Sequence, residues 1–170
     1  TADHDYDMAD AAPLREPSLI PELAEDAVAE AEIVEPADLD DLRAKALPAD
    51  SEASWTASVS KSEAKRIQAV FDEAAAHASS DPRKAGDTAA TAIASPAPVA
   101  HAAALLASAY YMQAADGQAA AAVCLRGLQL RDGSAAWSKL AVRYADLIRA
   151  GDPDGATQWY LDAERANAAR

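Results

Sequence analysis

The stretch WSKLAVRY at residues 137–144 decides the fold, because its apolar residues are spaced for one face of a helix. They follow one another at steps of three, one and three residues, which predicts an amphipathic helix. The same steps occur 34 residues earlier, and again 36 residues before that. The three stripes are Ile67, Val70, Phe71 and Ala74; Ala103, Leu106, Ala107 and Tyr110; and Trp137, Leu140, Ala141 and Tyr144.

A second set of small and aromatic residues follows each stripe and predicts a partner helix. Gly117 and Gly151, in the intervening turns, lie 34 residues apart. Self-similarity at a fixed period of this length is typical of stacked helical hairpins. The second stripes are Ala85, Ala89 and Ala92; Ala120, Cys124 and Gly127; and Ala156, Tyr160 and Ala163.

The last of these hairpins resembles the tetratricopeptide repeat. That family places large, small and aromatic residues on its first helix, and alanine-x3-aromatic-x2-alanine on its second. The resemblance covers residues 61–170 and implies an all-α fold, a short right-handed solenoid of two to three hairpins. The chain departs from the family pattern by three extra residues in the turn at 151–155 and by lacking the usual closing proline. The matching motifs are Trp137-x2-Leu140-Ala141-x2-Tyr144 and Ala156-x3-Tyr160-x2-Ala163.

Residues 1–60 predict a separate, acidic and largely extended arm. They hold 16 acidic and 3 basic residues, whereas residues 61–170 hold 12 of each, so the whole net charge of −13 falls in the arm. Five prolines break up regular structure there. High charge with few aromatic residues favours disorder in isolation. We therefore place the boundary between the arm and the helical repeat domain after residue 60.

Two short apolar segments interrupt the polar composition of the arm. One follows Pro21, the other lies between Pro36 and Pro48, and both have helical spacing. They predict short helices or linear motifs that order on a partner surface, although a solubilising tail is the alternative. Trp55 fits an anchor, either on a partner or on the chain's own helices. The candidate arm anchors are Leu19, Ile20, Leu23, Leu39, Leu42 and Trp55.

The resemblance also implies a concave groove, lined by first-helix side chains that lie outside the apolar stripes. Tyr110 is expected in the core and Tyr111 in the groove. The groove is mixed and mostly neutral, which favours an apolar or helical segment over a C-terminal carboxylate. A merely solvated groove is the alternative. The predicted groove residues are Lys65, Gln68, Asp72, His101, Ser108, Tyr111, Met112, Ser138, Val142 and Asp146.

No catalytic, cofactor-binding or metal-ligating site is predicted. The sequence contains no glycine-rich phosphate loop, no HExxH and no GxSxG. The acidic stretch that starts at Asp3 fails as a calcium loop, because Met8 and Leu14 stand where glycine and glutamate are required. The single cysteine, Cys124, excludes an internal disulfide and is interpreted as a packed core thiol.

Charge and hydropathy limit the partners. An acidic chain without a basic stripe is unsuited to nucleic acid or to an anionic membrane. No run of about 18 apolar residues occurs, so membrane insertion is not expected. Without a basic, apolar leader we expect a cytoplasmic location, with a removed presequence as the alternative.

The sequence therefore predicts a non-catalytic scaffold or adaptor that binds protein partners and no small-molecule substrate. Its helical solenoid would hold one partner, and its acidic arm would reach another. The alternative is a structural accessory subunit of a large multiprotein assembly, whose arm wraps over neighbouring subunits. An enzyme with an unrecognised helical site is a third class, which a substrate screen would detect.

Overall fold

A computed structural model describes residues 38–48 and 55–170, which belong to one compact unit. These residues form seven α-helices and no strand, which confirms the predicted all-α class. Two 3-10 turns accompany the helices, at Trp55–Ser58 and Thr91–Ala94. The helices are α1 (Leu39–Ala46), α2 (Lys61–His77), α3 (Pro82–Ala90), α4 (Ala97–Gln113), α5 (Gly117–Leu128), α6 (Ala135–Ile148) and α7 (Pro153–Ala168).

Side-chain caps fix where most of the helices begin. An aspartate precedes the second helix of each hairpin, and its carboxylate accepts a hydrogen bond from a backbone N–H in the first turn. Ser60 and Ser134 cap α2 and α6 in the same way. Such caps satisfy N–H groups that a helix leaves without partners. The capping aspartates are Asp81, Asp116 and Asp152.

The helices pack as three hairpins in sequence order. α2 pairs with α3, α4 with α5, and α6 with α7. The first helices of the second and third hairpins also contact the preceding hairpin. α4 packs on α3, and α6 packs on both α5 and α4. This arrangement is the repeat-like pairing that the stripes predict, while the right-handed solenoid stays a prediction.

Small residues allow the hairpins to approach one another closely. A Cβ atom built on Gly127 would lie 2.7 Å from Leu140 Cδ2 and 2.8 Å from Ala104 Cβ, so no larger residue fits there without movement. The large residues of the last stripe fill the remaining space, and Trp137 is only 1% exposed. Alternating small and large residues at facing positions produce the dense packing of protein interiors.

α1 packs against α7 and, over a smaller area, against α6. Leu39 and Ala46, on the packed side of α1, are buried. Both residues belong to residues 1–60, the stretch predicted to be the arm. The remainder of that arm, residues 1–37 and 49–54, lies outside the described residues, so its extended character stays a prediction.

Candidate interaction surfaces

The predicted groove is most open on α2. Lys65, Gln68 and Asp72 are exposed there. The Gln68 amide donates a hydrogen bond of 2.9 Å to the Asp72 carboxylate, one helical turn away. The α2 helix has few neighbours beyond α3, so this side of it remains in contact with solvent.

On α4 the predicted groove residues lie inside the protein. His101 and Ser108 are fully buried and Tyr111 is 7% exposed, whereas Met112 is 45% exposed. Tyr110 is half-buried and packs against the core, as expected, whereas the expectation that Tyr111 lies in the groove was wrong. The reason is that α4 contacts α3, α5, α6 and the Trp55–Ser58 turn, which together cover several of its sides.

Tyr111 packs its ring over the backbone of Gly86, where a Cβ atom would lie 2.7 Å from the ring. Its hydroxyl donates a hydrogen bond of 2.6 Å to Asp87 Oδ1. Burial, together with this bond to a carboxylate, raises the pKa of Tyr111 to about 12. The side chain therefore joins α4 to α3 instead of facing a partner.

On α6, Ser138 and Val142 are also buried, because this helix packs on α4, α5 and α7. Ser138 donates its hydroxyl to the Ser134 carbonyl at 3.3 Å. Asp146 is partly exposed and lies where α1 meets α6 and α7. Of the predicted groove residues on this helix, Asp146 is the one that retains solvent contact.

Asp146 is the centre of a polar network that joins three helices. Its Oδ1 accepts hydrogen bonds from the Tyr160 hydroxyl at 2.5 Å and from Arg43 Nε at 2.9 Å. Burial and the bond to Asp146 raise the pKa of Tyr160 to about 12. A second ion pair joins Arg149 to Asp40 at 2.7 Å. No pattern in the sequence indicates the two ion pairs, whose members are far apart along the chain.

The described arm anchors contact the chain's own helices. Leu39 is buried and Leu42 is half-buried, both packed on the core beneath α1. Trp55 meets Phe71 edge to face, with ring centroids 5.6 Å apart, which is the favourable geometry for an aromatic pair. Leu19, Ile20 and Leu23 lie outside the described residues. Docking of Trp55 on the chain's own helices was one of its two predicted roles.

A loop that the sequence analysis did not single out closes over the buried His101. The ring nitrogen Nε2 lies 2.8 Å from the Leu130 carbonyl, which can only accept, so Nε2 is the donor. Trp137 donates its indole N–H to the Leu128 carbonyl at 3.2 Å, and the Arg131 guanidinium lies 4.9 Å from the Trp137 ring centroid. These contacts hold the connection between α5 and α6 in place.

Two depressions in the described surface share Ala94 and Ser95. One, of about 400 Å³, is lined by Ile93, Ala94, Ser95, Arg126, Gln129 and Leu130. The other, of about 250 Å³, lies between α2 and the start of α4. Leu130 is 42% exposed at the first, and Arg126 has no ion pair within residues 38–48 and 55–170. Leu130 and Arg126 lie outside the apolar stripes of the repeats. This position is the sequence feature that could have indicated a surface role for them.

Cys124 lies in the core, as the sequence predicts. Its side chain is fully buried, and burial raises the pKa of the thiol to about 11. A thiol with this pKa is a poor nucleophile near neutral pH. In the described part of the chain, no group of three or more histidine, cysteine or acidic side chains is arranged to hold a metal ion.

No protein-family model, no curated protein and no solved structure matches the chain. Among the helices at 39–46 and 61–168, none is long and apolar enough to cross a membrane.

Proposed function

We propose that this protein is a non-catalytic interaction scaffold related to the tetratricopeptide repeat proteins, with its helical hairpins holding a protein partner. The near-34-residue spacing of the stripes supports the relationship, as does the pairing of the helices in sequence order. Proteins built from such hairpins expose extended surfaces that suit the binding of peptide segments. The acidic arm supplies a second, salt-sensitive contact in this proposal.

The observation that carries the proposal is the depression of about 400 Å³ between the Thr91–Ala94 turn and the end of α5. Leu130 and Ile93 give it an apolar lining, and Arg126 adds a positive charge without an ion-pair partner in the described residues. Exposed apolar side chains beside a concavity are typical of partner-binding surfaces. The surface fits an apolar side chain of a helical segment, with an acidic residue nearby to pair with Arg126.

Affinity capture with the full-length chain tests this surface. The double variant Leu130→Ser with Arg126→Glu is compared with wild type and with Met112→Ser as a matched control. Met112 is similarly exposed but belongs to the predicted groove and not to the depression. We expect a stoichiometric protein partner that the double variant loses and Met112→Ser retains.

The other outcomes have distinct meanings. Loss with Met112→Ser alone would move the partner to the predicted groove and contradict the depression as the binding surface. No stoichiometric partner for wild type at low or high salt would contradict the scaffold function itself.

A further inference from the structure

α1 occupies the place of a repeat's first helix. α6 packs on the α4–α5 hairpin by contacting α5 and α4, and α1 packs on the α6–α7 hairpin by contacting α7 and α6. The face of α6 and α7 that receives α1 is therefore equivalent to the face of α4 and α5 that receives α6. Such a face is built to bind an amphipathic helix.

The sequence of α1 follows the same pattern as the first helices. Leu39, Leu42, Arg43 and Ala46 lie at steps of three, one and three, the steps of the three stripes. Leu39 is 4% exposed and Ala46 is fully buried, so these two residues make the apolar contact. Arg43 stands at the step where α6 has Ala141, and it points to a carboxylate instead of packing into the core.

Two ion pairs fix the direction in which the helix lies on this face. Arg43 pairs with Asp146, and Asp40 pairs with Arg149. The face thus supplies one acid and one base, and the bound helix supplies the complementary charges three residues apart. A helix lying in the opposite direction would bring like charges together.

α1 is held weakly by comparison with the other helices. It has eight residues, and its N-cap residue Asp38 makes no side-chain cap bond. An isolated helix of that length is marginal in water. The α1 members of the two ion pairs are solvent-exposed, at 41% for Arg43 and 79% for Asp40, and exposed pairs contribute little. We therefore expect docked α1 to exchange with a released state more readily than the longer helices do.

We propose that α1 is a replaceable occupant of a helix-binding face on α6 and α7, and that its competitor is an amphipathic helix of a partner protein. That helix carries apolar residues at positions i, i+3 and i+7, an acid at i+1 and an arginine at i+4, as α1 does. The inference rests on the proposed scaffold function and adds its regulation. α1 keeps the face closed until the competing helix enters.

A fluorescent peptide of residues 36–48 is the probe, with binding to the full-length chain measured by fluorescence anisotropy. Leu39→Asp places a charge in the packed side of α1 and releases it from the face. We expect the peptide to bind Leu39→Asp at least about tenfold more tightly than it binds wild type. In wild type, α1 occupies the face and lowers the fraction of molecules that can bind the peptide. Leu47→Asp, the same change at a residue 38% exposed just after α1, should bind as wild type does.

A second peptide from the same chain tests the role of the two charges. In residues 17–29, Ile20, Leu23 and Ala27 repeat the apolar steps, but Pro21 and Ala24 stand where α1 has Asp40 and Arg43. We expect this peptide to bind Leu39→Asp more weakly than the 36–48 peptide. Asp146→Asn in the Leu39→Asp background should reduce the difference between the two. Equal binding of both peptides would contradict the requirement for the two charges.

Hydrogen exchange in the wild-type chain keeps the inference testable if Leu39→Asp fails to fold. Saturating 36–48 peptide should accelerate exchange of the α1 amides and leave α4 unchanged. Folded Leu39→Asp with no gain in peptide affinity would overturn the inference. Self-association of Leu39→Asp without peptide binding would also overturn it and assign the face to a second copy of the chain.

The outcomes of these peptide experiments can be distinguished from those of the partner capture that tests the proposed function. If the peptide binds but no partner is captured through Leu130 and Arg126, the proposed scaffold surface is contradicted and the helix-binding face on α6 and α7 is supported. Partner capture at that surface without peptide binding would remove the α1 face alone.

Discussion

α4 and α1 are both helices packed on a neighbouring hairpin, but they are held by different forces. α4 is covered by several elements, and its alanines Ala100, Ala103, Ala104 and Ala107 are fully buried. α1 buries Leu39 and Ala46 and adds ion pairs that remain in contact with water. Apolar burial persists in salt, whereas exposed ion pairs are screened. We therefore expect the contact of α1 to be more sensitive to salt than the packing of α4.

Both regions nevertheless contain the same kind of polar contact, a tyrosine hydroxyl that donates a hydrogen bond to an aspartate. Tyr111 donates to Asp87 between α4 and α3, and Tyr160 donates to Asp146 beside α1. In each pair, burial and the bonded carboxylate raise the pKa of the tyrosine. The difference between the regions therefore lies in the apolar packing around the bond and not in the bond itself.

The largest effect is expected from Trp137→Ala in the body. The indole is 1% exposed, and its N–H satisfies the Leu128 carbonyl, so the variant loses both packing and a hydrogen bond. We expect a loss of about 3–5 kcal/mol in the free energy of unfolding. Urea unfolding followed by circular dichroism measures it. Trp159→Ala, at a half-buried residue, is the control and should cost less; an equal cost would contradict the central role of Trp137.

High pH should weaken both regions through the two tyrosines. Their pKa is raised from about 10 in the unfolded chain to about 12 in the fold. The stabilisation is therefore fully present below pH 10 and is lost as the pH rises towards 12, by up to about 2 kcal/mol for each tyrosine.

Urea unfolding between pH 8 and pH 11.5 tests this dependence. Tyr111→Phe and Tyr160→Phe should each flatten the curve relative to wild type. If only Tyr111→Phe flattens the curve, the hydrogen bond from Tyr160 to Asp146 contributes less to stability than its geometry indicates. The contrast between α4 and α1 would then be larger.

A smaller loss is expected from Gly127→Ala. The added methyl would lie 2.7 Å from Leu140 and 2.8 Å from Ala104, forcing α4, α5 and α6 apart. Overpacking costs about 1–3 kcal/mol, and the better helix propensity of alanine returns up to about 1 kcal/mol. We expect a net loss of about 1 kcal/mol in urea unfolding. Gly117→Ala, where the methyl meets open space, should show no loss. Equal stability of the two variants would refute the close approach.

The smallest effect is expected from Arg43→Ala at the α1 contact. Removing a partly exposed ion pair should cost below about 1 kcal/mol, and added salt should reduce the difference from wild type. Hydrogen exchange of α1 should accelerate while exchange of α4 stays unchanged. Lys45→Ala, which breaks a pair within α1 itself, is the control and should leave docking intact. Faster exchange in α4 would mean that the two regions open together.

The helices were predictable because their periodicity is local. The apolar steps around Trp137 and the capping aspartates before each second helix lie within a few residues of the structures they specify. The burial of Cys124 followed from its place in a stripe. The groove was predicted less well, because assigning one side of a helix to solvent needs knowledge of every neighbour that covers it. His101, Ser108 and Val142 illustrate this, since all three are buried by other helices.

The sequence by itself determined the all-α class, the three hairpins and the small residues between them, because 3.6-residue periodicity and capping act over short distances. Only the tertiary structure decided that Arg43 meets Asp146, 103 residues away, and that α1 lies on α7. Such pairings depend on where the stacked hairpins bring distant faces together. The next first helix covers the equivalent face of each earlier hairpin, so α1 lies on the face of α6 and α7, where Asp146 and Arg149 pair with it.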